Sequence, residues 1–170
     1  MKVIKAKTAG FCFGVKRAVD TVYKQVDTKC GQIYTYGPII HNEEVIKDMR
    51  DKGVIVLRSE EDLDMISQGT VIIRSHGVEK RIYEKIEQKG LRIVDATCPF
   101  VKKIHNIVSE KSGEGFHIII IGNPEHPEVV GIKGWAKDNV TVIQSAEDAE
   151  CFTADRKEKI CIVSQTTFNY

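Results

Sequence analysis

The feature that most limits how this chain can fold is that it repeats itself. Phe11-Cys12-Phe13-Gly14-Val15-Lys16-Arg17 lies over Thr97-Cys98-Pro99-Phe100-Val101-Lys102-Lys103, with cysteines, valines and basic pairs coinciding at an offset of 86 residues (position 98 less 12). Val54-Ile55-Val56-Leu57-Arg58-Ser59-Glu60-Glu61-Asp62 lies over Val140-Thr141-Val142-Ile143-Gln144-Ser145-Ala146-Glu147-Asp148 at the same offset. Gly37-Pro38-Ile39-Ile40-His41-Asn42-Glu43 lies over Gly122-Asn123-Pro124-Glu125-His126-Pro127-Glu128 at 85. Common strand and helix patterns account for the aligned apolar runs, but not for cysteine over cysteine or His-x-Glu over His-x-Glu. Such self-similarity points to duplication of one supersecondary unit.

Each unit reads as alternating strands and helices. In the first, residues 3–6 form a short strand and 10–14 a loop around Cys12. A helix then runs to about Gln25, with Val15, Ala18, Val19, Val22 and Val26 on one face. Strands follow at Ile33–Tyr36, Val54–Leu57 and 71–73, and helices at 42–51 and 78–88. Ser59 with Asp62 marks the N-cap of a short helical turn. The second unit opens with a strand at 92–94 and a helix after Cys98, then strands at His117–Ile121, Val140–Ile143 and 160–163. The predicted class is α/β, with tandem repeated units, mostly parallel sheets and flanking helices. The boundary falls near 90–97, giving a first unit over 1–95 and a second over 96–170. The second reads as incomplete, because Ser75-His76-Gly77 is followed by a helix and the next cysteine segment whereas Ser164-Gln165-Thr166-Thr167-Phe168-Asn169-Tyr170 closes the chain. The two units are expected to be members of a pseudo-threefold set of three.

Charge narrows the partners. With 25 basic and 24 acidic residues the net charge is +1, which gives no electrostatic reason for a nucleic-acid or membrane partner. The alternating start, Met1-Lys2-Val3-Ile4-Lys5-Ala6-Lys7, lacks the apolar run of a secretory signal. Five cysteines without regular spacing do not form a disulfide framework, so a cytoplasmic setting is expected.

In doubly wound α/β proteins, ligands bind at the carboxyl ends of the strands. Cys12, His41, His76, Cys98, His126, Glu128 and Thr166 all fall just past a predicted strand, near a helix start. Cys12 and Cys98 would sit at helix N-termini, which stabilise thiolates, and a pair at equivalent points of a repeat reads as metal ligands. Two thiolates are too few for a 4Fe–4S cluster. A third unit at the same offset would bring another cysteine near position 184, and three thiolates would leave a fourth iron open. Cys161 in an apolar strand, and Cys30 and Cys151 near connections, are set aside. His41, His76 and His126 together suit a diphosphate or another small anion. Glu128 could deliver protons, or serve only as a helix-start glutamate; Thr166 and Thr167 could bond a substrate hydroxyl, or only cap a helix. No Walker loop or G-x-G-x-x-G is present, which disfavours nucleotides.

Gly10-Phe11-Cys12-Phe13-Gly14-Val15-Lys16-Arg17-Ala18, Ile40-His41-Asn42, Ser75-His76-Gly77-Val78, Asp95-Ala96-Thr97-Cys98-Pro99, His126-Pro127-Glu128 and Ser164-Gln165-Thr166-Thr167 resemble, in order, the successive motifs of the 4-hydroxy-3-methylbut-2-enyl diphosphate reductases. That resemblance implies three α/β units around a 4Fe–4S cluster, with Cys12 and Cys98 as two of its three ligands. It implies that His41, His76 and His126 hold the diphosphate, that Glu128 relays protons, and that Thr166 lies near the substrate hydroxyl. The implied reaction is the last step of the methylerythritol phosphate route, a reductive dehydroxylation giving isopentenyl and dimethylallyl diphosphates. Ferredoxin or flavodoxin would supply the electrons. Without a third unit the chain alone is expected to be inactive. Two other readings stay open, a zinc hydrolase using Cys12, Cys98 and a histidine, and a non-catalytic diphosphate-binding module.

Overall fold

Short runs of branched residues, each closed by glycine or a polar turn, build two parallel sheets. The computed structural model describes residues 2–28 and 31–168; Met1, Lys29, Cys30, Asn169 and Tyr170 lie outside the described residues. The elements in order are α1 (Phe13–Thr28), β1 (Ile33–Tyr36), α2 (Glu43–Asp51), β2 (Val54–Leu57), α3 (Glu60–Asp64), β3 (Thr70–Ile73), α4 (Lys80–Gln88) and β4 (Arg92–Asp95). The second half continues with α5 (Pro99–Gly113), β5 (His117–Ile121), α6 (Pro127–Lys133), β6 (Val140–Ile143), α7 (Ala146–Cys151) and β7 (Ile160–Ser164).

The first sheet has the order β2-β1-β3-β4 and the second β6-β5-β7, every pair parallel. Strand for strand the second sheet repeats the first three positions of the first. The duplication seen in sequence is therefore a duplication of topology. The caps repeat with it. Ser59 Oγ accepts from Asp62 N–H at 3.4 Å to start α3, and Ser145 Oγ accepts from Asp148 N–H at 3.2 Å to start α7.

Strand β3 is buried at all four positions because helices cover both faces of its sheet. Side chains alternate across a strand. Ile72 therefore packs with Ala18, Val19 and Val22 of α1, while Val71 and Ile73 pack with Leu63, Ile82 and Ile86 on the other side. In the second half Ile118 and Ile120 meet Val108, Val129 and Ile132, with Cys161 of β7 packed against them.

Three expectations are corrected. Residues 3–6 are not a strand: they pair with no neighbour, and Val3 and Ile4 are 79% and 80% exposed. Cys12 consequently follows a coil. The segment at 92–94, expected to open the second unit, is β4 and bonds to β3 as the fourth strand of the first sheet. Helix α4 starts at Lys80 rather than 78, because Gly77 holds a φ of +72° and Glu79 stays extended as its N-cap.

The loop between β3 and α4 is gripped by the second half of the chain. Ser75 O accepts from Cys98 N–H at 2.8 Å, and Val78 O accepts from the Trp135 indole at 2.9 Å. His105 of α5, 1% exposed, stacks on Trp135 with centroids 5.1 Å apart. A Cβ on Gly77 would stand 2.4 Å from His105 Cε1. Gly77→Ala therefore adds a methyl where there is no room and forces an unfavourable φ. It should destabilise the fold by about 2–4 kcal/mol, read as a lower urea midpoint with unchanged m-value.

Candidate functional site

Three strand ends bring the site histidines together. His41 follows β1 and stands one residue before Asn42, whose Oδ1 accepts from Val45 N–H at 3.1 Å and caps α2. His76 follows β3 on the gripped loop. His126 follows β5 and caps α6, its Nδ1 accepting from Glu128 N–H at 3.1 Å. The ring centroids are 4.8 Å apart for His41–His76, 5.3 Å for His76–His126 and 6.1 Å for His41–His126. One ring nitrogen from each lies within 4.8 Å of the others. Ser75 fixes the first two loops together, its Oγ donating to Ile39 O at 3.0 Å.

Burial is the first reason that His76 resists protonation, with His41, Arg74 and His126 adding repulsion, and its pKa falls to about 4. His126 is lowered for the same kinds of reason, burial first and then His41 and Arg74. His76 Nδ1 is buried with no hydrogen-bond partner. At neutral pH His76 and His126 are therefore uncharged, and an arriving anion is what would favour their cationic forms.

Glu128 and Thr166 meet beside this cluster. Glu128 is 1% exposed, and its Oε1 and Oε2 accept from Thr166 N–H at 2.6 Å and Thr166 Oγ–H at 2.9 Å. Burial raises its pKa, and the two bonds from Thr166 oppose that rise. Thr167 is exposed and accepts from Gln165 Nε2 at 3.2 Å.

The two cysteines occupy matching places. Cys12 O accepts from Lys16 N–H and Cys98 O accepts from Lys102 N–H, both at 2.9 Å, so each residue opens the first turn of its helix. The helices converge there, since a Cβ on Gly14 would stand 2.6 Å from Cys98 Sγ. Glycine at position 14 is thus a condition for seating that thiol against α1. Arg17 adds a tie, donating to Thr97 O at 3.0 Å and Asp95 O at 3.3 Å. Cys12 is exposed and Cys98 half-buried, while Cys151 ends α7 in solvent and Cys161 lies within β7. Among the described residues neither Cys12 nor Cys98 joins two other histidine, cysteine or carboxylate ligands, so the zinc hydrolase site is not assembled.

The family model described as LytB protein matches residues 3–170. The chain belongs to the LytB family. A LytB relative from Caldanaerobacter subterraneus subsp. tengcongensis, named 4-hydroxy-3-methylbut-2-enyl diphosphate reductase, is 48% identical over 98% of this chain and 58% of its own length. One of the same name from Clostridioides difficile is 44% identical over 99% of this chain and 60% of its own. The chain thus spans less than two thirds of the length of these relatives. Among solved structures, the E-1-hydroxy-2-methyl-but-2-enyl-4-diphosphate reductase from Plasmodium falciparum superposes with a TM-score of 0.88 at 32% identity. That match covers 95% of this chain and 50% of that one. A second solved structure, that of (E)-4-Hydroxy-3-methyl-but-2-enyl Diphosphate Reductase, gives a TM-score of 0.81 at 39% identity, covering 98% of this chain and 59% of that one. Among the described residues no helix is long and apolar enough to cross a membrane.

Sequence alone assigns no role to Gly14, Arg17, Arg74 or His105, although Gly14 and Arg17 lie in the motif around Cys12 and Arg17 falls on the repeated basic pair. His105 has no partner pattern along the chain. Burial holds the His105 pKa at about 4, as it does for His76. An unfolded chain takes these two protons near the ordinary 6.5, so the stability they contribute is full above that pH and is lost as pH falls toward 4. His105→Phe keeps a ring on Trp135 and removes one of the two groups. Its unfolding free energy should fall less steeply between pH 6.5 and about 4 than that of the parent, measured by urea titration across that range.

Proposed function

We propose that this chain supplies the substrate-holding and part of the cluster-holding machinery of a 4-hydroxy-3-methylbut-2-enyl diphosphate reductase. The substrate would lose its allylic hydroxyl, gain two electrons and become isopentenyl and dimethylallyl diphosphates. The observation that carries this reading is the meeting of three imidazoles from three parallel strand ends, with the buried Glu128–Thr166 pair alongside. The names of relatives 44–48% identical to nearly the whole chain agree with it.

Each residue has a task in this scheme. His41, His76 and His126 donate to the diphosphate oxygens, and binding an anion offsets the cost of charging the part-buried His76 and His126 rings. Burial favours a protonated Glu128 carboxyl, which can hand its proton outward through the Thr166 hydroxyl at 2.9 Å. Thr166 stands nearest the departing hydroxyl, and Thr167 lines the same edge.

A 4Fe–4S cluster fits the donor chemistry. Two cysteines stand at the starts of two converging helices, and the bare Gly14 makes room for Cys98 Sγ against the first turn of α1. Cys12 and Cys98 would be two of its ligands. When bound, the cluster supplies electrons and a Lewis-acidic iron for the hydroxyl oxygen. Its electrons would come from ferredoxin or flavodoxin, and the setting would be the cytoplasm. The units 1–95 and 96–170 would each present one cysteine to it.

Cys12→Ser and Cys98→Ser should each lose most of the iron and sulfide retained after anaerobic reconstitution. Unchanged iron and sulfide in both variants would remove the cluster assignment. In a chain of the relatives' length, Glu128→Gln preserves the bond from Thr166 N–H but not the acid. Turnover there should drop by roughly 10²–10⁴-fold with substrate affinity nearly intact. A KM effect without a kcat effect would remove Glu128 from proton delivery.

A further inference from the structure

Three imidazoles whose nitrogens lie within 4.8 Å of one another could serve either of two ligands. Neutral imidazoles in that spacing ligate zinc and similar ions, and protonated ones bind phosphate oxygens. The histidines alone do not choose between them.

Arg74 does. It ends the buried run of β3 and is itself partly buried. Its guanidinium lies between the two loops that carry His41 and His76. Nε–H donates to Gly77 O at 3.4 Å, and a side chain at position 37 would meet Nη1 at 2.6 Å. Among the described residues no carboxylate pairs with it, although Arg81, Lys85 and Lys102 all have acidic partners. Burial pulls its pKa below the ordinary arginine value, and its positive charge acts on both His76 and His126. Removing an arginine from water without a counter-charge is costly, and arginine stays protonated regardless. A guanidinium held this way lacks only an anion.

We propose that Arg74 is the specificity-determining cation of the histidine pocket, committing three rings that could ligate a metal ion to binding an anion of the diphosphate class. The inference rests on the diphosphate reading above and adds the residue that enforces it. A fixed positive charge acts with opposite sign on the two ligands. It strengthens an anion and repels a divalent cation. A merely structural arginine would weaken both when replaced, because both need the three rings in place.

The test compares the parent chain with Arg74→Lys, Arg74→Met and Arg74→Gln, the last keeping a donor for Gly77 O if the aliphatic variant fails to fold. Inorganic pyrophosphate binding is measured by titration calorimetry, and zinc binding by competition with a chromophoric chelator. Removing the charge should weaken pyrophosphate about tenfold or more and tighten zinc by a similar factor, while lysine stays within a few-fold of the parent for both. Loss of both ligands in the charge-free variants would make Arg74 a structural tie and overturn the proposal. So would unchanged pyrophosphate affinity in those variants when His126→Asn weakens it, with the diphosphate reading still standing. A parent chain that takes zinc through the histidines and no pyrophosphate would sink both together.

Discussion

The contact between the two sheets that shapes the histidine pocket runs through five residues, 75–79. Their backbone is bonded to the loop of Cys98 on one side and to the indole of Trp135 on the other, while Gly77 lies against the buried ring of His105. Hydrogen bonds of this kind are worth about a kilocalorie each, and their effect here is chiefly geometric. They fix His76, which comes from the first sheet, against His126, which comes from the second. A pocket shared by two sheets is only as well defined as the contact between them.

The same contact explains why the cysteines and histidines stay in separate groups. Cys98 is tied through its backbone to Ser75, yet its thiol turns toward Gly14 and α1. The rings meet at the strand ends, while the two cysteines stand where two longer helices begin. One region is rich in imidazole and has a lone guanidinium, the other offers sulfur and exposed aromatic rings at Phe11, Phe13 and Phe100. Thiol and imidazole donors are thereby kept apart.

Much of this was legible in the sequence because it is local. The serine caps, the short branched strands and the 86-residue repeat are patterns of neighbours along the chain, and parallel α/β topology sends residues after each strand to one rim. His41, His76 and His126 could be grouped on that basis alone. What stayed hidden depends on partners distant in sequence. Residues 3–6 carry a strand-like pattern but have no strand beside them, and pattern alone cannot supply one. Arg74 stands two places from His76, and it becomes informative only because no carboxylate among the described residues pairs with it. His105 reads as one polar residue on an amphipathic helix until Gly77 and Trp135 are seen around it.

The placement of β4 has a consequence for how such a protein can be divided. β4 at Arg92–Asp95 closes the first sheet and runs directly into the loop of Cys98. A cut after residue 95 would leave the first sheet with all four strands, yet it would sever Cys98 from the strand that leads into it. It would also strip Ser75 O and Val78 O of the donors supplied by Cys98 and Trp135. Neither half is a portable module, so one copy cannot be exchanged without mending its neighbour.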